Sequence, residues 1–150
     1  MNEDFHDFLD ALLDEGVKFL MAGAHALAVH GIPRATGDLD IWIERSPENA
    51  DRLWRALERF GAPVETLGVT RDDLTTPARV IQIGVRPRRI DILTDLTGVE
   101  FADGWRDRAE VVLEGLDIPV IGRATLVENK RATDRLRDRA DLESLGELEP

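Results

Sequence analysis

Two aspartates, Asp38 and Asp40, stand two positions apart in an apolar segment and could share one cation. Successive side chains on a β-strand point to opposite faces, so both carboxylates would lie on one face, about 6–7 Å apart. Like charges at that distance repel each other unless a cation joins them. Carboxylate oxygens are the ligands that Mg²⁺ prefers, together with water and substrate phosphates. The spacing therefore favours a site for Mg²⁺, or for the similar Mn²⁺.

The segment before these aspartates predicts a place for phosphate. Residues 17–21 form a short apolar run typical of a buried strand, and the chain then turns at Gly23 directly into a helix that ends near His30. Gly23 leaves room for a ligand to approach the backbone, and the helix N-terminus offers unpaired N–H groups. A glycine turn alone is a weak signal, but the following Asp-x-Asp strand strengthens it. Gly23 and Ala24 are therefore candidate phosphate-binding residues.

A third aspartate lies on a later strand. Residues 79–85 and 89–94 alternate apolar and polar side chains, and the short turn between them predicts an antiparallel hairpin. The isoleucines on either side of Asp91 face the core in this interpretation, so Asp91 points to the opposite face. An exposed strand aspartate commonly has no special role. Here its polarity, its period and its neighbouring strand allow it to join Asp38 and Asp40.

Cationic and polar residues could complete a phosphate site. Arg34 and Thr36 lie in the loop before the acidic strand, where Arg34 could pair with Asp38 or bind a substrate phosphate. A salt bridge that only positions the loop explains Arg34 equally well. Lys130 lies in a polar helical tail, where it could reach a phosphate. The alternative is a surface helix crossed by salt bridges between its arginines and aspartates.

The other segments predict the elements that position these residues. Apolar residues at helical spacing predict capped helices at residues 3–15 and 47–60. A polar connection or flap is expected between the second helix and the hairpin, at residues 62–77. Beyond the hairpin the pattern predicts a short helix at residues 103–108 and two short strands at 110–113 and 117–121. A helical tail is expected at residues 124–148, with a break near Asp134.

Composition limits the class of protein. The chain has 150 residues, enough for a single domain over 1–150 with its own core. It has no cysteine, which excludes disulfides, thiolate zinc sites and a cysteine nucleophile. A net charge of −11 makes strong binding of duplex DNA unexpected, although a local basic patch could bind a nucleotide or an RNA end. No signal peptide or membrane span is expected, so a cytoplasmic protein is the prediction.

The glycine turn and the three aspartates together resemble the polymerase-beta-like nucleotidyltransferase superfamily. Its signature is a hydrophobic residue followed by Gly and Gly or Ser, then a spacer, Asp-x-Asp and a third carboxylate downstream. Here the signature reads Met21-Ala22-Gly23-Ala24, thirteen further residues, Asp38-Leu39-Asp40 and later Asp91.

Two longer stretches carry the resemblance further. They are VIQIGVRPRRIDILTDLTGVEF and NKRATDRLRDRADLESL, and they are similar to small bacterial nucleotidyltransferase-domain proteins related to AbiEii-type abortive-infection toxins. Those proteins often carry a lysine and then a basic-Asp-x-x-Asp segment, which Lys130 and residues 137–141 match. The resemblance covers nearly the whole chain.

The resemblance implies a fold and an activity. The fold is α/β (α+β), a nucleotidyltransferase fold with a mixed or antiparallel sheet, helices packed on one face and a helical C-terminal tail. The activity is two-metal transfer of a nucleotidyl group from a nucleoside triphosphate to an RNA end, a protein hydroxyl or a small molecule. The implied metal ligands are Asp38, Asp40 and Asp91, and the implied phosphate ligands are Gly23, Ala24, Arg34, Thr36 and Lys130.

Two positions depart from the family pattern. Ala24 stands where the family usually has Gly or Ser, so it offers a phosphate only its backbone N–H. Asp134 stands where close relatives often have Gly. The alternative hypothesis is therefore a catalytically inactive module of this fold that binds a nucleotide or a partner, such as an antitoxin-like protein or a second copy of the chain. A generic acidic α/β domain with three chance carboxylates is the remaining interpretation.

Overall fold

The computed structural model describes residues 1–34, 37–85 and 88–147 of the chain. Thr36 and most of the predicted hairpin turn lie outside these described residues. Within them the chain forms seven α-helices, one short 3₁₀ helix and six β-strands. No helix of this described part is long and apolar enough to cross a membrane.

Helices and strands alternate along the chain. The first part holds α1 (Glu3–Asp14), β1 (Phe19–Ala22), α2 (Gly23–Val29), β2 (Leu39–Ile43) and α3 (Pro47–Phe60). The middle part holds α4 (Val64–Leu67), the 3₁₀ helix Arg71–Thr75, β3 (Val80–Ile83) and β4 (Ile90–Leu93). The last part holds α5 (Phe101–Asp107), β5 (Ala109–Leu113), β6 (Leu116–Val120), α6 (Arg123–Thr133) and α7 (Leu136–Ser144).

The predicted connection over residues 62–77 contains two short helices. The single turn of α4 ends at Gly68, whose φ of +70° a larger residue would rarely adopt. In the 3₁₀ helix the side chain of Asp73 accepts a hydrogen bond of 2.8 Å from the backbone N–H of Thr70, and Leu74 is fully buried. One buried leucine within a polar stretch is too weak a periodic signal to predict a helix from sequence.

The break in the tail lies where the sequence predicts it. Asp134 ends α6 in the left-handed conformation, with a φ of +46°. Glycine adopts this conformation freely, and aspartate tolerates it better than most residues. The departure from the family's glycine is therefore compatible with the same turn between α6 and α7.

The six strands form one mixed sheet in the order β3-β4-β2-β1-β6-β5. The predicted antiparallel pair of β3 and β4 is confirmed, and β5 and β6 also pair antiparallel. Two parallel pairings, β2 with β4 and β1 with β6, join strands that are distant in the sequence. The mixed α/β fold predicted for the chain is confirmed.

Residue alternation on β2 assigns its two faces. Leu39, Ile41 and Ile43 are fully buried on one face, as are the apolar faces of α1 and α3. Trp42 lies on the other face, where the Phe101 ring of α5 meets it edge-on at 5.0 Å between centroids. The main helical layer thus covers one face as predicted, and α5 covers the Trp42 part of the other. Asp40, on the same face as Trp42, borders a cavity instead.

Asn49 of α3 ties that helix to two strands from inside the core. Its side-chain oxygen accepts a hydrogen bond of 2.7 Å from the backbone N–H of Lys18. Its amide donates to the backbone oxygens of Lys18 and Glu44 at 3.0 and 2.9 Å. Asn49 is buried, so this one side chain satisfies three backbone groups that water would not reach.

Replacing Asn49 with alanine tests this tie. Asn49→Ala removes one hydrogen bond from each of three backbone groups near the start of β1 and the end of β2, of which the Lys18 oxygen keeps a second one from the N–H of Glu44. We expect the free energy of unfolding to fall by about 2–4 kcal/mol in urea denaturation. Glu48→Ala, at the exposed neighbouring position, is the control and should change stability by less than about 0.5 kcal/mol. Equal losses in the two variants would contradict the role assigned to Asn49.

Candidate functional site

A cavity of about 610 Å³ lies against the part of the sheet formed by β2, β4 and β3, and Asp40 borders it. Residues from the β1–α2 turn, from β2 and β4, and from α6 and the start of α7 form its wall. Seven of the eight predicted site residues border it, namely Gly23, Ala24, Arg34, Asp38, Asp40, Asp91 and Lys130. The eighth, Thr36, lies outside the described residues. The roles of all eight stay predictions.

Strand pairing brings the three carboxylates together. β2 and β4 run parallel with Asp40 directly opposite Asp91, so both side chains leave the sheet on the same face. Asp38 precedes β2 by one residue and borders the same cavity. Asp91 points away from the hydrophobic core as predicted, but it is only 8% exposed rather than open to solvent. A neighbouring arginine accounts for part of that burial.

Arg89, which sequence reasoning did not select, bridges two of these aspartates. Its guanidinium donates to the two oxygens of Asp91 at 2.8 and 3.0 Å and to one oxygen of Asp38 at 3.1 Å. The hydrogen bond with Asp91, and then the charges of Asp91, Asp38 and Asp40, raise the pKa of Arg89 above its ordinary value. Its position next to Asp91 in an Arg-Ile-Asp order was the available sequence signal, since residues i and i+2 of an extended strand share a face.

The environment of Asp40 disfavours the ionised form of its carboxyl group. Burial, followed by the charges of Asp91 and Asp38, raises the pKa of Asp40 to about 6. The positive charges of Arg89 and Arg137 oppose this rise but do not cancel it. A raised carboxyl pKa means that negative charge is held here at a cost, which a bound cation would reduce.

Gly23 lies directly against Asp40. The backbone of Gly23 has a φ of +65°, and a Cβ atom built there would come within 2.9 Å of the carboxyl carbon of Asp40 and closer still to one oxygen. Glycine is therefore required at this position both for its backbone conformation and for space. The contact with Asp40 and the positive φ are enough to explain this glycine, and the approach of a ligand to Gly23 stays a prediction.

Lys130 reaches the cavity from a buried ion network. Its ammonium group lies 2.9 Å from Asp141 and 3.3 Å from Asp138 of α7. Asp138 is fully buried and also accepts hydrogen bonds from Thr133 and Arg135. Burial opposes the ionised form of Asp138, but these hydrogen bonds keep its pKa below the ordinary value. The predicted salt-bridged tail is therefore a wall of the cavity as well as a surface helix.

Arg34 pairs with Asp141 of α7, not with Asp38 as one sequence alternative had it. Both of its terminal nitrogens donate to the carboxylate of Asp141. Burial raises the pKa of Asp141, and the hydrogen bonds from Arg34 and Lys130 outweigh that effect and lower it. Asp141 thereby joins the loop before β2 to the helical tail, two segments more than one hundred residues apart.

Arg137 is a further cation at the cavity that sequence reasoning did not select. It is exposed, it borders the cavity, and its charge acts on Asp40. Across residues 1–34, 37–85 and 88–147 it forms no ion pair, whereas Arg34, Arg89 and Lys130 each hold a carboxylate. Arg137 is therefore the cavity cation with the fewest competing contacts inside the described protein.

The donor set has the chemistry of a site for a hard divalent cation. Asp38, Asp40 and Asp91 supply carboxylate oxygens on one cavity wall, and Asp40 carries negative charge that its surroundings disfavour. Among the described residues, however, no three acidic or histidine side chains converge closely enough to enclose an ion. The guanidinium of Arg89 lies among these carboxylates and donates to oxygens of Asp38 and Asp91. The three carboxylates fit such an ion by their chemistry, although they do not enclose a site for it.

The contact between Gly23 and Asp40 predicts the effect of adding one methyl group. Gly23→Ala introduces both a left-handed alanine and a clash with the carboxylate, and we expect it to lower the free energy of unfolding by about 3 kcal/mol. Gly16→Ala is the matched control because Gly16 has a similar φ of +69° and open space around it. The control should lose only about 1–2 kcal/mol in urea denaturation. Equal losses would show that the contact with Asp40 does not matter.

The pKa of Asp40 predicts a pH dependence of stability. The folded protein binds a proton at Asp40 more tightly than the unfolded chain does, so ionisation of Asp40 makes stability fall as pH rises from about 4 to about 6. In EDTA at pH 8, Asp40→Asn should be more stable than the wild type by about 2–3 kcal/mol.

This advantage should shrink as pH falls and be small near pH 4, where the folded protein keeps Asp40 protonated and the unfolded chain is close to its own aspartate pKa. Urea denaturation between pH 4 and pH 8 provides the measurement. Asp117→Asn, at an exposed position of β6, removes the same charge and should show no comparable gain at pH 8. A gain that is independent of pH would be inconsistent with the environment described for Asp40.

Comparison with solved structures identifies a related fold. A crystal structure of a protein from Thermotoga maritima, named as a "putative nucleotidyltransferase", has a TM-score of 0.59 and 20% sequence identity. The likeness covers 95% of this chain and 88% of that chain. No family model matches the chain, and no curated protein shows significant similarity to it. At this identity the likeness shows the fold alone: the chain has a nucleotidyltransferase-like fold, and the expected relation to AbiEii-type toxins is not shown.

Proposed function

We propose that this protein is a metal-dependent nucleotidyltransferase, which transfers a nucleotidyl group from a nucleoside triphosphate to an acceptor. The observation that carries the proposal is the parallel pairing of β2 and β4, which sets Asp40 beside Asp91 at the wall of a cavity that Asp38 also borders. The likeness to a solved structure supports the same fold for the chain. The cavity, at about 610 Å³, has room for a nucleotide.

The three aspartates are the residues that would hold Mg²⁺ or Mn²⁺. When bound, such an ion supplies positive charge that stabilises the attacking and leaving oxygens of an in-line displacement at phosphorus. In this proposal Asp91 would accept a proton from an acceptor hydroxyl once Arg89 releases one of its oxygens, and its border with the cavity supports that role. Gly23 brings its backbone close to the carboxylate of Asp40.

Cations on the opposite wall would bind the triphosphate. Lys130 is held by Asp138 and Asp141 and borders the cavity, so its ammonium is oriented before a substrate arrives. Arg34 is oriented by Asp141 in the same way. The backbone N–H of Ala24 is a further donor, because the missing hydroxyl of the family's serine does not affect the main chain. Fixed cations of this kind stabilise charge that develops on transferring phosphoryl groups.

The proposal extends to the acceptor of the nucleotidyl group and to the biological role of the protein. An RNA end, a protein hydroxyl and a small molecule all carry the hydroxyl that the reaction needs. The resemblance to AbiEii-type proteins supports a bacterial toxin–antitoxin role in the cytoplasm, with an antitoxin-like partner or a second copy of the chain as binding partner. The net charge of −11 argues against duplex DNA as the acceptor.

A catalytically inactive module of the same fold is the second candidate. Two observations favour it: Ala24 offers the cavity a methyl group instead of a hydroxyl, and Arg89 already occupies oxygens of Asp38 and Asp91. In that case the cavity would bind a nucleotide or organise a surface for a partner without chemistry.

One experiment separates the two candidates. The purified protein is incubated with Mg²⁺ and each α-³²P-labelled nucleoside triphosphate, together with total RNA or a cell lysate. Transfer of label into RNA, protein or a small molecule is expected, with a loss of at least about 100-fold in Asp38→Asn and Asp40→Asn. Asp117→Asn is the control and should keep the activity.

Binding of nucleotide measured by calorimetry completes the comparison. Carboxylate-dependent binding without any transfer would support the inactive module and overturn the enzymatic proposal. Transfer that survives in both Asp38→Asn and Asp40→Asn would show that the activity comes from another protein in the preparation.

A further inference from the structure

Arg89 occupies the position between two carboxylates of the candidate site. Its three hydrogen bonds to Asp38 and Asp91 are 2.8–3.1 Å long, and its side chain is 19% exposed. A guanidinium that faces two carboxylates in this way satisfies several acceptor sites with one rigid group. In the folded protein Arg89 therefore reduces the repulsion between neighbouring carboxylates, as a bound cation would.

The compensation by Arg89 is incomplete. Three carboxylates border the cavity here and Arg89 supplies one positive charge, so the group of four side chains remains negative. Arg89 donates no hydrogen bond to Asp40 within the described residues, although its charge acts on that carboxyl. These four side chains thus keep an attraction for a second cation, which the charge of Arg137 at the same cavity reduces, while part of their oxygen surface is already taken.

Deprotonation cannot release Arg89 from Asp38 and Asp91. An arginine stays protonated under all conditions in which proteins fold, and the neighbouring aspartates raise its pKa further. The guanidinium can leave the carboxylates only by a movement of the side chain. Arg89 lies one residue before β4, as Asp38 lies one residue before β2, and its long side chain has more rotatable bonds than the aspartate side chains have.

We propose that Arg89 is an internal counter-ion that competes with a divalent cation for Asp38 and Asp91, and so sets how tightly the protein binds the metal. This inference rests on the proposed function only for its premise that the three aspartates hold a metal. A divalent ion would bind as the guanidinium moves away from these oxygens. The wild-type protein would bind the metal weakly by itself, and an arginine change would strengthen that binding.

Titration of the metal-free protein with Mn²⁺ alone tests the competition. The experiment is done at pH 8, where Asp40 is ionised, and free Mn²⁺ is followed by its electron paramagnetic resonance signal. We expect Arg89→Gln to bind Mn²⁺ at least about tenfold more tightly than the wild type, because a positive charge next to the ion is removed. Arg89→Lys should be intermediate, because a lysine keeps the charge but cannot bridge two carboxylates in the same way.

Arg88→Gln is the matched control, because it removes the same charge from the neighbouring, exposed position. Its Mn²⁺ affinity should stay within about twofold of the wild type, since exposed charges are screened. The gain in Arg89→Gln should disappear when Asp38→Asn is added. The inference fails if folded Arg89→Gln binds Mn²⁺ no more tightly than Arg88→Gln, or if none of the variants binds Mn²⁺ at all.

A second measurement uses the wild-type protein and does not depend on the folding of a variant. The Nε–H signal of Arg89 in a ¹⁵N NMR spectrum reports its hydrogen bond with Asp91 and is assigned in the wild type by through-bond correlation to the backbone of Arg89. We expect saturating Mg²⁺ to shift this signal and speed its exchange with water, because the guanidinium leaves the carboxylates. A signal that is unchanged at saturating Mg²⁺ overturns the inference.

These outcomes are separable from those of the transfer experiment. A protein that transfers nucleotides while Arg89→Gln leaves the Mn²⁺ affinity unchanged contradicts only the role of Arg89. A protein whose Mn²⁺ affinity depends on Arg89 but that transfers no nucleotide contradicts only the proposed enzymatic function.

Discussion

Repulsion among three aspartate carboxylates is the interaction on which the rest of the candidate site depends. The parallel pairing of β2 with β4 places Asp40 opposite Asp91 and fixes the backbone positions of both residues. The protein answers this repulsion in two ways. Arg89 holds Asp38 and Asp91, while Asp40 keeps a raised pKa. Close packing of Gly23 against Asp40 leaves that carboxyl little space to relax.

Beside the cavity, the buried carboxylates of Asp138 and Asp141 hold cations in place. Asp138 and Asp141 are as buried as any core residue, yet both have a lowered pKa because Lys130, Arg34 and Arg135 donate to them. Removing one partner from such a network is destabilising, since an unpaired buried charge remains. The ionised form is thus disfavoured at Asp40 and stabilised at Asp138 and Asp141. The contrast arises from the neighbouring charges.

Most of the local structure could be predicted from the sequence. The two long helices, the β3–β4 hairpin and the break at Asp134 follow from periodicity, caps and turns, which act between residues close in the chain. The two helices within residues 62–77 were missed because Leu74 is their one fully buried anchor. The position of α5 was also beyond reach, since its contact with Trp42 depends on which face of the sheet the chain crosses.

The sequence by itself determined that Asp38 and Asp40 share a face, that Asp91 lies on a strand with the opposite polarity to its isoleucines, and that a glycine turn precedes them. These are consequences of the two-residue period of a strand. Only the tertiary structure decided that β2 and β4 are neighbours, that Arg34 pairs with Asp141 and that Arg89 bridges two aspartates. Such contacts join residues up to 107 positions apart, where no periodic pattern can indicate a partner.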